Sequence, residues 1–290
     1  MQNLKTLIEL LERGRKIHIS ILDLGGILNL PITAIDFKNV IHSKRFCRIA
    51  KSTESGYRAC LRCKMLANKK ATVEKCAFSG ACSYGLYEAA VPLIIDKSVM
   101  AVVYVGNAVV SREESESRLK RTALKTGVPI SELTKELEAC EFINEPSELF
   151  AIAEIVCDYM KLLYDSTPKT KPDLHWLVSL MKRHADKEFC YNVSLKELAA
   201  TYRKNEKYIG RLFRKEMGIS FSEYCMELRL QKAERMLLSR RERIIDIALE
   251  CGFNNVSYFN RSFQKKYGIS PTKYREKTND QEKRPSNSQN

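Results

Sequence analysis

The stretch NEKYIGRLFRKEMGISFSEY at residues 205–224 returns fifty positions later as NVSYFNRSFQKKYGISPTKY at residues 255–274. Nine of the twenty positions are identical: Asn205/Asn255, Tyr208/Tyr258, Arg211/Arg261, Phe213/Phe263, Lys215/Lys265, Gly218/Gly268, Ile219/Ile269, Ser220/Ser270 and Tyr224/Tyr274. Upstream the register shifts by one, so that Glu197-Leu198-Ala199 faces Asp246-Ile247-Ala248. Each copy reads as a short helix, a tight turn, a second helix closing at glycine and a restart of helix, which is the layout of a helix-turn-helix. Ile209, Leu212, Phe213 and Met217, or Phe259, Ser262, Phe263 and Tyr267, take the inward face of the second helix. Lys207, Gly210, Arg211 and Arg214, or Ser257, Asn260, Arg261 and Gln264, project from the other.

The helical region extends outward from this repeat. Leu177, Val178, Met181 and Ala185 step by helical periodicity from Leu174 onward. Ser194 with Glu197, and Ser220 with Glu223, form capping boxes, and Ser270-Pro271 supplies an N-cap followed by proline at the first helical position. Residues after Lys277 are polar and read as a disordered tail. On the other side, DSTPKTKPD at Asp165–Asp173 reads as a linker. The expected division is therefore a sensory part with a helical connector at 1–165, a linker at 166–173, a domain with two helix-turn-helix units at 174–278 and a tail at 279–290.

Charge follows the same division. Basic side chains outnumber acidic ones 23 to 20 in residues 1–168 and 26 to 15 in residues 169–290. A basic C-terminal part suits a polyanion, because Lys and Arg that neutralise phosphates release condensed counterions. A membrane surface finds no support. The longest apolar stretch, Ala89–Val110, is interrupted by Pro92, Asp96, Lys97 and Asn107 and reads as two strands around a turn. Nothing at the N-terminus resembles an export signal, so the expected location is cytoplasmic.

The N-terminal part alternates strands and helices. His18–Leu22, Val91–Ile95 and Val99–Val105 read as strands; Ser43–Ala50, Glu54–Lys70, Glu113–Lys125, Ile130–Ala139 and Pro146–Tyr164 read as helices. That mixture predicts an α+β domain. Ten cysteines without an export signal are reduced thiols or metal ligands rather than a disulfide framework. Five of them, Cys47, Cys60, Cys63, Cys76 and Cys82, fall within 36 residues. Three readings stay open for this set. The thiols line a core or pocket, four of them hold zinc or an iron–sulfur cluster, or they sense redox state.

Residues 174–278 resemble the DNA-binding domain of the AraC/XylS family of bacterial regulators. The ordered set Ile244-Ile245-Asp246-Ile247-Ala248, Cys251-Gly252-Phe253, Ser257-Tyr258-Phe259-Asn260-Arg261-Ser262-Phe263, Gly268-Ile269-Ser270-Pro271 and Tyr274-Arg275 carries the resemblance. It implies that two recognition helices read double-stranded DNA, with the base-contacting faces at Lys207 and Arg211 in the first unit and at Ser257 and Arg261 in the second; Tyr208, Arg214 and Asn260 complete the expected contact set. It also implies transcription regulation without catalysis, and a homodimer and RNA polymerase as partners. In the first unit Asn205 replaces the usual Ser cap and Gly210 interrupts the recognition helix.

Residues from about Leu7 to Val110 resemble the sensory domain of PocR-type regulators, through Phe46-Cys47, Cys60, Cys82, Gly85-Leu86, Val91-Pro92-Leu93 and Gly106. This resemblance implies a PAS/GAF-like α+β fold and a small-molecule effector bound near Cys47, Cys60, Cys82 and Gly85. Ser83 stands where a histidine is common in that family. A competing class, a DNA-repair methyltransferase with a nucleophilic cysteine, lacks a Pro-Cys-His-type motif here.

Overall fold

The computed structural model describes residues 3–168, 175–191, 193–239 and 242–282, with side chains to 277. Contacts divide them into two compact units. One comprises residues up to Leu177 together with Ala199–Asn205, the other Val178–Leu198 and Glu206 onward.

The first unit opens with helix α1 (Leu4–Glu12), which the sequence reading had missed. Asn3 caps it by accepting from the Thr6 amide, and Leu4 and Ile8 bury its apolar side. Strand β1 (His18–Asp23) is buried along its whole length. Helices α2 (Arg45–Ala50) and α3 (Glu54–Glu74) follow, α3 running four residues beyond the expected Lys70. Then come β2 (Phe78–Ala81), β3 (Tyr87–Ile95) and β4 (Ser98–Val109). The expected turn at Asp96-Lys97 joins β3 to β4, and both residues take positive φ (48° and 63°). That is the geometry of a two-residue hairpin turn whose twist matches the strands.

Helices α4 (Arg112–Thr126) and α5 (Ile130–Glu138), the short strand β5 (Glu141–Phe142) and helix α6 (Ser147–Ser166) complete the unit. The antiparallel sheet has the order β1-β4-β3-β2, and β5 lies parallel to the end of β4. Helix α6 packs on β3, β4 and α1, burying Leu149, Ile152, Val156, Met160 and Leu163. Each such side chain contributes about 1.5–3 kcal/mol when removed from water. Helices α2, α4 and α5 share a second core of Phe46, Leu119, Ala123, Leu133 and Leu137 with Tyr84 and Leu86 from the β2–β3 connection.

The described residues from Trp176 onward form helices joined by turns: α7 (Trp176–Glu188), α8 (Leu195–Thr201), α9 (Glu206–Met217), α10 (Phe221–Ser239), α11 (Ile244–Glu250), α12 (Val256–Tyr267) and α13 (Pro271–Glu282). Both capping boxes form. Ser194 Oγ accepts from the Glu197 amide at 3.1 Å while Glu197 accepts from the Ser194 amide at 3.0 Å; Ser220 and Glu223 do the same at 3.2 and 2.8 Å. The turns between paired helices need one left-handed residue. Gly252 fills it in the second copy (φ 87°) and Arg203 in the first (φ 52°).

Most of the expected linker, 169–173, lies outside the described residues, as do 283–290 of the expected tail. Residues 279–282 correct that reading, since α13 continues through Glu282.

Candidate functional site

The duplication is visible in packing as well as in sequence. Phe213 of α9 is fully buried, edge-on to Phe221 with centroids 5.4 Å apart. Its equivalent Phe263 of α12 is equally buried, against Phe259, Tyr267 and Tyr274 at 5.7, 4.4 and 5.4 Å. The repeated tyrosines anchor each copy to the preceding long helix. Tyr224 donates to Asp186 of α7 and Tyr274 donates to Glu234 of α10, each at 2.6 Å. Asn255 caps α12 by accepting from the Tyr258 amide at 3.0 Å.

With those aromatics fixed inward, α9 presents Lys207, Tyr208, Arg211 and Arg214 to solvent, and α12 presents Ser257, Tyr258, Asn260 and Arg261. Lys207, Arg211 and Arg214 lie at helical spacings of four and three and so form one cationic stripe. All the candidate DNA-contacting residues are thus exposed. Gly210 is a correction. It does not belong to the outward face, because a Cβ there would lie 2.8 Å from the end of the Leu195 side chain. Its missing side chain lets α9 approach α8.

In the first unit, α3 carries Cys60, Cys63 and Lys64 on one face. Cys47 comes from α2, His42 from the segment before it, Cys82 from the loop after β2, Glu88 from β3, and Tyr104 and Asn107 from β4. His42 Nε2 lies 3.0 Å from Glu88 Oε1 and 3.0 Å from Lys64 Nζ. The Lys64 nitrogen stands 3.1 Å above the centre of the Tyr104 ring. Cys47 Sγ lies 3.5 Å from Asn107 Oδ1, and Tyr104 donates to Asn68 at 2.6 Å. His42 and Glu88 keep 17% and 21% of their side-chain surface accessible although protein atoms surround them densely. Groups in that situation border a recess rather than solid packing.

The electrostatics divide the lining. Burial opposes ionisation of Glu88, yet the neighbouring His42 and Lys64 outweigh it and hold its pKa at about 2. Burial pushes His42 and Lys64 down against the opposing pull of Glu88. Burial also pushes the Cys47 and Cys82 thiols well up, which places two neutral thiols beside the His42–Glu88–Lys64 group. Gly106 makes room for it. It pairs with Glu88 across the strands, and a Cβ at Gly106 would lie 2.4 Å from Glu88 Cγ and 2.6 Å from the Tyr87 carbonyl.

The structure therefore brings Cys47, Cys60, Cys63 and Cys82 around one space and leaves Cys76 out. Cys76 is exposed just past α3, near Glu74. Among the described residues no three His, Cys, Asp or Glu side chains are placed to hold a metal ion. Of the set expected to hold zinc or an iron–sulfur cluster, Cys47, Cys60, Cys63, Cys76 and Cys82, Cys76 thus stands apart from the other four. Gly85 has a packing role. At φ 90° its missing Cβ would collide with the Ser115 backbone at 2.5 Å, and its carbonyl accepts from Ser115 Oγ.

Sequence reasoning missed His42, Lys64, Glu88, Tyr104 and Asn107. Two signals were available: Lys64 shares the helix face of Cys60 and Cys63, and Glu88 opens an otherwise apolar strand.

Among the described residues no helix is long and apolar enough to cross a membrane. A family model described as the sensory domain found in PocR matches residues 1–167, and one described as a helix-turn-helix domain matches residues 198–277. The chain is 33% identical over 110 residues to the bifunctional transcriptional activator/DNA repair enzyme AdaA of Bacillus subtilis, covering 38% of this chain and 52% of AdaA. It is 38% identical over 72 residues to the transcriptional activator RhaR of Yersinia pseudotuberculosis, covering 25% of each chain. The chain thus spans about half of AdaA and a quarter of RhaR. Among solved structures, the C-terminal domain of the response regulator AraT from Geobacillus stearothermophilus is 30% identical with a TM-score of 0.35, covering 36% of this chain and 88% of that one. With two family models covering both halves in the expected order, the chain belongs to the AraC family of DNA-binding transcriptional regulators and carries the sensory domain found in PocR.

Proposed function

We propose that this regulator reads DNA with two helix-turn-helix units, α8–α9 and α11–α12, and that a small effector held in the Lys64–Glu88 cavity tunes that binding. The observation that carries the first part is the repeated helix whose aromatic side is locked inward while its hydrogen-bonding side is exposed. Arg211 and Arg261 occupy equivalent exposed positions, and arginine matches the paired acceptors of guanine. Lys207, Tyr208, Arg214, Ser257 and Asn260 flank them. Two such helices on one rigid linker helix suit successive major grooves about 34 Å apart.

The sensory reading rests on the enclosed polar centre. Cavities of this kind, mostly apolar with a few convergent polar groups, are the usual form of a ligand site. The sheet, with β1 beside β4 and helices packed on it, is compatible with the PAS/GAF-like class. Catalysis is not part of this reading. The Cys47 and Cys82 thiols are held neutral by burial, whereas a nucleophilic cysteine needs its thiolate.

Selecting duplexes from a random pool with the full chain, followed by footprinting, tests the proposal. Two protected half-sites one helical turn apart are expected. A single half-site, or no enriched sequence, would overturn the two-unit reading.

A further inference from the structure

We infer that the turn of the first helix-turn-helix is held by the sensory helix α3, through Asn68 and Arg203, so that the effector site governs the first DNA-reading unit and not the second. This rests on the reading of the Lys64–Glu88 group as an effector site and adds the route by which that site acts.

The two copies of the turn are anchored differently. At the offset of 49 that aligns the first helices of the repeat, Thr201 faces Glu250 and the left-handed Arg203 faces Gly252. The backbone agrees, with Lys204 donating to the Ala199 carbonyl at 2.8 Å and Phe253 to the Ala248 carbonyl at 3.0 Å. In the second copy the Glu250 carbonyl accepts from Lys232 of α10 at 2.9 Å. In the first copy the matching Thr201 carbonyl accepts from Asn68 Nδ2 of α3 at 3.3 Å. Ala199–Asn205 accordingly packs as part of the first unit.

Asn68 is fully buried in the interior of α3, where asparagine is a poor helix former. Both ends of its amide are used. A carbonyl only accepts, so Nδ2 faces Thr201, and Oδ1 takes the Tyr104 hydroxyl at 2.6 Å. Arg203 adds a second tie, its guanidinium donating to Thr72 Oγ1 at 2.5 Å. Arginine at φ 52° is strained where the second copy has glycine, and this contact offsets the strain.

Lys64, Asn68 and Thr72 stand at four-residue spacings on one face of α3. The Lys64 ammonium rests on the face of the same Tyr104 ring whose hydroxyl holds Asn68. An effector that draws the ammonium off this ring loosens Tyr104, then Asn68, then the Thr201 carbonyl. It favours the released turn over the docked one, and its differential affinity for the two sets the size of the response.

The test is hydrogen exchange of the full chain, comparing Ala199–Asn205 with the equivalent residues 248–254. Tyr104→Phe keeps the ring face and deletes the hydroxyl; Arg203→Ala deletes the guanidinium at an exposed position where the fold is not at stake. Each should speed exchange at Ala199–Asn205 by about 2- to 10-fold, as expected for one lost hydrogen bond, and leave 248–254 unchanged. Lys64→Met, which removes the ammonium and keeps the stem, should do the same. Unchanged exchange at Ala199–Asn205 in both Tyr104→Phe and Arg203→Ala would overturn the tie to α3. Release by those two variants but not by Lys64→Met would overturn the Lys64–Glu88 group as the source of the signal and leave the tie standing.

Discussion

Replacing Glu88 by glutamine keeps the shape of the side chain and removes its charge from the centre of the cavity. The pKa of Glu88 falls from an ordinary 4.5 to about 2, a difference corresponding to about 3 kcal/mol in favour of the ionised form in the folded protein. A depressed carboxylate contributes stability that is present above its unfolded pKa and is lost as pH falls through its folded pKa. At pH 7 Glu88→Gln should therefore unfold at lower urea, by up to about 3 kcal/mol. Between pH 4.5 and pH 2 the wild type should lose that advantage while the variant does not, so the gap should close. Urea titrations of both proteins across this range, followed by circular dichroism, give the difference directly. A gap that stays constant with pH, or a variant more stable at pH 7, would show that His42 and Lys64 do not compensate the burial of Glu88.

Other substitutions probe single features. Lys97→Gly relieves a side chain held at φ 63° and should raise stability by about 0.5–1 kcal/mol, measured as a higher melting temperature. Phe263→Ala empties a fully buried site among three aromatic rings and should cost about 3–5 kcal/mol, with loss of the second unit's cooperative melt. Gly106→Ala forces a methyl group against Glu88 and the Tyr87 carbonyl. It should destabilise the first unit by about 1–3 kcal/mol, and an unchanged melt would mean β3 shifts freely.

What the sequence disclosed depended on how far apart the cooperating residues lie. The repeat, the capping boxes and the Asp96-Lys97 turn are local patterns, and each was readable because neighbours three or four positions apart make the structure. The charged centre was not readable. His42, Lys64 and Glu88 come from three separate segments, and only the docking of α3 on the sheet brings them together. Spacing along the chain also grouped residues that the fold separates. Cys76 is near the other cysteines along the chain but lies exposed beyond the end of α3. Gly210 was placed outward by angular position alone, whereas the contact with Leu195 on α8 turns it inward. Helix α1 was missed although its signals are local, with Asn3 as the cap and Leu4 and Ile8 four positions apart on its buried side.

The central claim is that α9 and α12 read bases, and the pair Arg211→Ala and Arg261→Ala tests it most directly. Both side chains are exposed, so each change should alter folding stability by less than about 0.5 kcal/mol. Fluorescence anisotropy with full-length protein on a selected duplex should show each variant weakened about 5- to 150-fold, the equivalent of about 1–3 kcal/mol, with random duplex bound almost as before. Equal losses on selected and random DNA would contradict the account, because these arginines would then hold only the phosphate backbone.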